Sequence, residues 1–130
     1  MPQILIYAIV ISSGVLVGWV LSIRKDRRKH FNRIDILPLE VFKKLMRKGQ
    51  LIDIRNQERF NKNHIKGARN FQPRFLKNKR QTKIRRDQAV FMYCHNGKKS
   101  LSVAKKLIPK FNKINILDGG YKAYEKSKDE

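Results

Sequence analysis

The chain has 130 residues, enough for one domain of ordinary size plus an appendage. Lys and Arg number 31 against 10 Asp and Glu, a formal charge of +21, and hydrophobic residues make up 41%, enough for a core. A single cysteine, Cys94, excludes an intramolecular disulfide and a cysteine-only zinc site, and it suits a reducing compartment.

Part of the apolar content sits in one block. Pro2 to Ile23 contains no Asp, Glu, Lys, Arg or His. At about 1.5 Å per residue a helix of this length spans roughly 30 Å, the thickness of a bilayer core. Tyr7 and Trp19 lie toward its two ends, where interfacial aromatics stand. A cleaved signal peptide carries its positive charge before the apolar run and small residues after it. Here Arg24, Lys25, Arg27, Arg28 and Lys29 follow the run, and no A-x-A site appears. The block reads as an uncleaved transmembrane anchor over 1–23, followed by a basic juxtamembrane tether over 24–32 and a domain over 33–130. The positive-inside rule makes this a single-pass membrane protein with its C-terminal domain in the cytoplasm. The basic flank is then drawn to an anionic membrane surface. Gly14 and Gly18 keep the G-x-x-x-G spacing of packed membrane helices, which leaves the oligomeric state open.

After the basic segment, strands and helices alternate. Ile34 to Ile36 reads as a short strand. Pro38 opens a helix to about Arg47, with Leu39, Phe42, Leu45 and Met46 at helical spacing, and Gly49 ends it. Leu51 to Ile54 is a predicted strand, Gln57 to Lys62 a short helix, Ala68 to Phe71 a strand, and Pro73 to Lys79 helical. Val90 to Tyr93 is a strand, Lys98 to Phe111 a helix, Ile114 to Leu117 a strand, Gly119-Gly120 a turn and Tyr121 to Lys126 a final helix. This order implies an α/β domain with a mainly parallel sheet flanked by helices, whose sites form at the carboxyl ends of strands. Lys77, Lys79, Arg80, Lys83, Arg85 and Arg86 form the densest basic stretch. It lacks interleaved aromatics and any nucleic-acid-binding motif, so a solvated face near the membrane explains it better than a nucleic-acid partner.

Cys94 stands at one such carboxyl end. The apolar run Ala89 to Tyr93 delivers it into the loop His95-Asn96-Gly97-Lys98-Lys99-Ser100, which opens a helix. Inward backbone N–H groups, the helix N-terminus and two loop lysines all favour a thiolate over a thiol, against the alternative of an inert buried cysteine. Asp53 ends a strand two residues before Arg55, so the two side chains can form a buried pair that organises the neighbouring loop. His64, next to Ile65 and Gly67, suits a hydrogen bond that fixes a turn better than a base or ligand role. His95 adjoins Cys94, but neighbouring side chains in a curled loop diverge, which argues against it as the general base. Gly67 and Gly97 mark backbone conformations or close approaches denied to other residues.

These segments together resemble the rhodanese sulfurtransferase family. Leu51-Ile52-Asp53-Ile54-Arg55 with Glu58 resembles its D-[VI]-R…E-x-x motif, and His64-Ile65-Lys66-Gly67-Ala68-Arg69-Asn70 its H-I-x-G-A-x-N motif. Cys94, Gly97, Lys99 and Ser100 match the C-x-x-G-x-[RK]-[ST] loop, and Gly119, Gly120 and Tyr124 a later G-G motif with an aromatic in the next helix. The resemblance covers about residues 33–127. Tyr124 replaces a frequent tryptophan, and Lys98-Lys99 stands where an arginine is frequent.

The resemblance implies sulfur transfer through a persulfide on Cys94, from a small donor such as thiosulfate to a thiol or cyanide, with no cofactor and no metal. His95 to Ser100 are the implied anion-binding loop, in which Lys98 and Lys99 bind the donor and Ser100 caps the helix and donates a hydrogen bond. Asp53, Arg55 and His64 are implied supports. With one cysteine, the acceptor thiol comes from outside. Two other readings compete. A phosphatase or arsenate reductase needs an arginine ending a loop one residue longer, and Ser100 stands there instead. A non-catalytic binding module of the same fold at the membrane would leave Cys94 incidental.

Overall fold

The structure, a computed structural model, describes residues 2–31, 33–76 and 83–130. The chain divides into two compact units, Met1–Asn32 and Arg33–Glu130.

The first unit is one helix, α1 (Pro2–Phe31). Its segment Gln3–Arg24 is long and apolar enough to cross a membrane, and its apolar side chains are exposed. Ser12 and Ser13 donate their hydroxyls to the carbonyls of Ile9 and Val10, each at 2.9 Å, so neither leaves an unpaired group on the apolar surface. The helix passes through Ile23 without a break. The boundary expected there is a change of polarity, not the end of an element, because Arg and Lys are good helix formers.

The second unit is a five-stranded parallel sheet with helices on both faces. Its elements are β1 (Ile34–Leu37), α2 (Leu39–Leu45), β2 (Gln50–Asp53), α3 (Gln57–Lys62), β3 (Arg69–Asn70), α4 (Pro73–Leu76), β4 (Val90–Tyr93), α5 (Lys98–Leu107), β5 (Ile114–Leu117) and α6 (Gly120–Lys126). A single 3₁₀ turn, Met46–Lys48, continues α2. The sheet order is β1-β5-β4-β2-β3, every pairing parallel. All four residues of β2, β4 and β5 are buried, as strands covered on both faces must be.

Alternation along these strands builds two cores. Ile52, Val90, Met92, Ile114 and Ile116 pack with Ala104 and Leu107 of α5 and with Ile108 and Phe111 just after it. Leu51, Phe91, Tyr93 and Leu117 face Phe42 of α2, Ile65, and Tyr121 and Tyr124 of α6. Gly49 lets the turn before β2 pass close to its neighbours: a Cβ there would stand within 3 Å of the Ala89 carbonyl and the Phe91 ring.

Several boundaries differ from those predicted, most by a residue or two, such as β2, which starts at Gln50 and ends at Asp53. α5 stops at Leu107 instead of Phe111, because Pro109 has no N–H to extend the ladder. The strand expected over 68–71 contracts to Arg69–Asn70 at the sheet edge. The helix expected over 73–79 is seen as Pro73–Leu76; Lys77 and Lys79, with Arg80 of the basic stretch, lie outside the described residues. Lys83, Arg85 and Arg86 are exposed, and Arg85 pairs with Asp87.

Candidate active site

The chain runs outward from β2 to β3, returns, and continues the other way from β4 to β5. The carboxyl ends of β2 and β4 therefore flank the point where strand order reverses, where a crevice opens in such sheets. Asp53 to Arg55 leave β2 there, and Cys94 leaves β4 beside them.

Cys94 is 3% exposed. Its Sγ accepts a hydrogen bond from the Gly97 N–H at 3.1 Å. Gly97, at φ +86°, turns the chain back over the sulfur and is the residue from which α5 starts. The sulfur borders a pocket of about 270 Å³ lined by His95, Asn96 and Lys99 of the loop, by Ile54, Arg55 and Asn56 after β2, and by Arg59 of α3. Asn56 fixes α3 beside it, its Oδ1 accepting from the Arg59 N–H at 3.1 Å. Among the described residues no aspartate or glutamate lines this pocket, so the sulfur faces a cationic surround.

The loop is held from behind by α6. The N–H of Tyr121 donates to the Cys94 carbonyl at 2.7 Å, and that of Lys122 to the His95 carbonyl at 3.0 Å. Two first-turn N–H groups of α6, orphaned in any helix, thus find their partners in the cysteine loop. A trans peptide directs its C=O and N–H to opposite sides, and every peptide described is trans. Fixing these two carbonyls on α6 therefore turns the N–H groups of His95 and Asn96 away from α6. The contact requires Gly120: a Cβ there would lie 2.5 Å from the Cys94 carbonyl and 2.7 Å from the Gly97 nitrogen.

Asp53 and Arg55 form a buried pair. Arg55 Nε donates to both carboxylate oxygens at 3.1 and 3.0 Å, its Nη2 to Oδ2 at 2.7 Å, and its own N–H to Oδ1 at 2.8 Å. Nη2 also donates to the Asn63 carbonyl at 2.6 Å. Burial works against the charge of Arg55, but the hydrogen bonds and charge of Asp53 outweigh it and hold the guanidinium above its ordinary value. Its face lies 3.9 Å from the centroid of the Tyr121 ring. One arginine thereby ties β2, the residues after α3, and α6, which in turn holds the cysteine loop.

The predicted residues do not all meet. Cys94, His95, Asn96, Lys99 and Arg55 line the pocket, and Gly97 reaches the sulfur through its N–H. Lys98 does not line it; its N–H instead donates to Asn96 Oδ1 at 3.3 Å. Ser100 is not a cap, because Gly97 occupies that position and Ser100 lies inside the first turn of α5. Its side chain is fully buried, and among the described residues its Oγ has no hydrogen-bond partner. His64 stays away from the pocket. Its Nδ1 pairs with the Phe60 carbonyl at 2.9 Å, and its ring stacks on Phe60 at 4.0 Å. Among the described residues no hydrogen bond joins the His95 ring to Cys94. Arg59 was not anticipated: the loop lacks an arginine, and α3 supplies a guanidinium from elsewhere in the chain. Its place three residues after the cap residue Asn56, on a helix following the β2 end, was the available signal.

Comparison with known proteins agrees with this architecture. The rhodanese-like domain family matches residues 38–127. The uncharacterized protein YqhL of Bacillus subtilis (strain 168) is 40% identical over 86 residues, 65% of this chain and 68% of that one. Reduced Bacillus anthracis CoADR-RHD superposes with a TM-score of 0.63 and 25% identity over 84% of this chain, which spans 19% of that one. The human single domain sulfurtransferase TSTD1 superposes with a TM-score of 0.60 and 19% identity, over 70% of this chain and 95% of that one.

Proposed function

This chain belongs to the rhodanese-like domain family, and from that premise we propose that it is a membrane-anchored sulfurtransferase working through a Cys94 persulfide. The observation that carries this reading is the Gly97 N–H pointed at the Cys94 sulfur, at the floor of a pocket whose charged walls are all cationic. In the first half-reaction the Cys94 thiolate attacks the outer sulfur of thiosulfate. A bond forms between Sγ and that sulfur, the thiosulfate S–S bond breaks, and sulfite leaves with the electron pair. Lys99 and Arg59 attract the dianion. The N–H groups of His95 and Asn96, aimed by α6, donate to the charge on the terminal sulfur as donors in an oxyanion hole do. The buried Ser100 hydroxyl, without a partner in the free protein, is a further donor for it. An acceptor thiol or cyanide then takes the terminal sulfur and releases the Cys94 thiolate. The anchor is α1, whose exposed apolar span needs a cover that a bilayer provides.

The test uses the full-length protein in detergent. Treatment with thiosulfate is expected to add one sulfur to the protein mass, and cyanide to release thiocyanate; Cys94→Ser should abolish both. Thiocyanate release that survives Cys94→Ser, or the absence of any mass gain with thiosulfate and small persulfides, would overturn the proposal. So would hydrolysis of an aryl phosphate in place of sulfur transfer.

A further inference from the structure

The Cys94 pocket has a neighbour. A second hollow, of about 220 Å³, shares Arg55, Arg59 and His95 with it, so the two are lobes of one cleft. The second lobe adds Lys62 and Asn63 at the end of α3, and Tyr121 and Glu125 of α6.

Its charges differ from those of the first lobe. The charge of Arg55 is paired with Asp53, which leaves Arg59 and Lys62, one turn apart on α3, as the available cations. Glu125 of α6 lines the same lobe, in a chain with only 10 acidic residues. Among the described residues the side chains of Arg59, Lys62 and Glu125 are exposed and take part in no ion pair or hydrogen bond. The Glu125 charge nonetheless reaches the floor: after burial, it is the next cause holding the Tyr121 hydroxyl above its ordinary value. A dianion such as thiosulfate gains nothing from Glu125. Size narrows the choice further, since each lobe is below the roughly 300–1,000 Å³ of ordinary small-molecule sites.

We propose that this second lobe binds the sulfur acceptor and is matched to a zwitterionic amino-acid thiol. Its carboxylate meets Arg59 and Lys62, and its ammonium meets Glu125. This rests on the sulfurtransferase reading and specifies its acceptor. With the head group seated there, the acceptor thiol passes its proton to the terminal sulfur of Cys94–S–S⁻, and the resulting thiolate reaches across the shared wall to that outer sulfur. A bond forms between the acceptor sulfur and that outer sulfur. The bond to Sγ breaks, its electron pair returns to Cys94 as thiolate, and the proton leaves with the transferred sulfur. No oxidant or reductant is consumed.

The experiment loads the full-length protein in detergent with thiosulfate and measures single-turnover transfer at equal thiolate concentrations. The acceptors are cysteine, cysteamine, which lacks the carboxylate, and 3-mercaptopropionate, which lacks the ammonium. Cysteine should be preferred about fivefold over each, the strength of a partly exposed ion pair. Glu125→Gln should lower the cysteine to 3-mercaptopropionate ratio about fivefold, and Lys62→Gln the cysteine to cysteamine ratio. Glu40→Gln, the same charge change on α2, should move neither. Loading followed by equal transfer to all three thiols, or variants that leave both ratios unchanged, would overturn the acceptor assignment alone. Failure to load would remove the sulfurtransferase reading and this assignment with it.

Discussion

Ser100 shows how much one hydroxyl can disclose. A buried hydroxyl without a partner costs about 1–3 kcal/mol, and among the described residues no group offsets that cost. If the terminal persulfide sulfur is its partner, the cost belongs to the resting state and is relieved once sulfur is loaded. Ser100→Ala should then leave stability unchanged or raise it by about 1 kcal/mol in urea unfolding. It should also slow thiosulfate-to-cyanide transfer about tenfold or more, since a hydrogen bond to a charged group is worth about 1.5–3 kcal/mol. An unchanged rate would remove Ser100 from the mechanism. Asp53 and Arg55 act differently. Neither cost nor benefit can be assigned to one of them alone, because removing either partner leaves a buried charge uncompensated, at about 3–5 kcal/mol.

At the scale of elements, the decisive contact is α6 against the cysteine loop. The helix satisfies its own first-turn donors on the carbonyls of Cys94 and His95 and so fixes the two peptides that follow the cysteine. Gly120 and Gly67 both have positive φ, at +62° and +88°, but only Gly120 abuts the loop. Alanine at either should cost about 1–2 kcal/mol for the left-handed backbone. Gly120→Ala alone should also displace the loop and reduce persulfide loading at least tenfold, read by cyanolysis, while Gly67→Ala loads normally. Equal loading by both would mean that α6 does not position the loop. The elements themselves were legible because strand and helix periods are local properties. β2, β4 and β5 announced themselves as short apolar runs, and α5 as an apolar stripe at helical spacing. Local pattern failed where the deciding partner is distant. β3 shortened because only Arg69 and Asn70 pair in register with β2, Phe71 adding just its N–H to the Asp53 carbonyl, and Ser100 could not cap because Gly97 had already taken the turn.

At the scale of the whole molecule, the two units call for different surroundings. Arg33–Glu130 buries two cores of its own, whereas the apolar surface of Gln3–Arg24 is exposed. The full-length protein should therefore sediment with membranes and resist extraction by high salt and carbonate, and deletion of residues 2–24 should move it to the soluble fraction. Extraction of the full chain by salt alone would mean that its basic residues, and not α1, hold it there. The anchor candidate, the α/β class and the cysteine at the strand end are properties of the sequence by itself. Each rests on residues close together in the chain: a run without charge, an alternation of periods, and a strand leading into a glycine loop. Only the tertiary structure decided what surrounds that cysteine. Parallel pairing sets β2 beside β4, which brings Arg55 and Arg59 to the sulfur and excludes Lys98 and His64. It also folds α6 back so that Gly120 and Tyr121 support the loop. Such contacts join residues about 25 to 40 positions apart, and no local pattern encodes them, because their energy exists only once the sheet has brought the segments together.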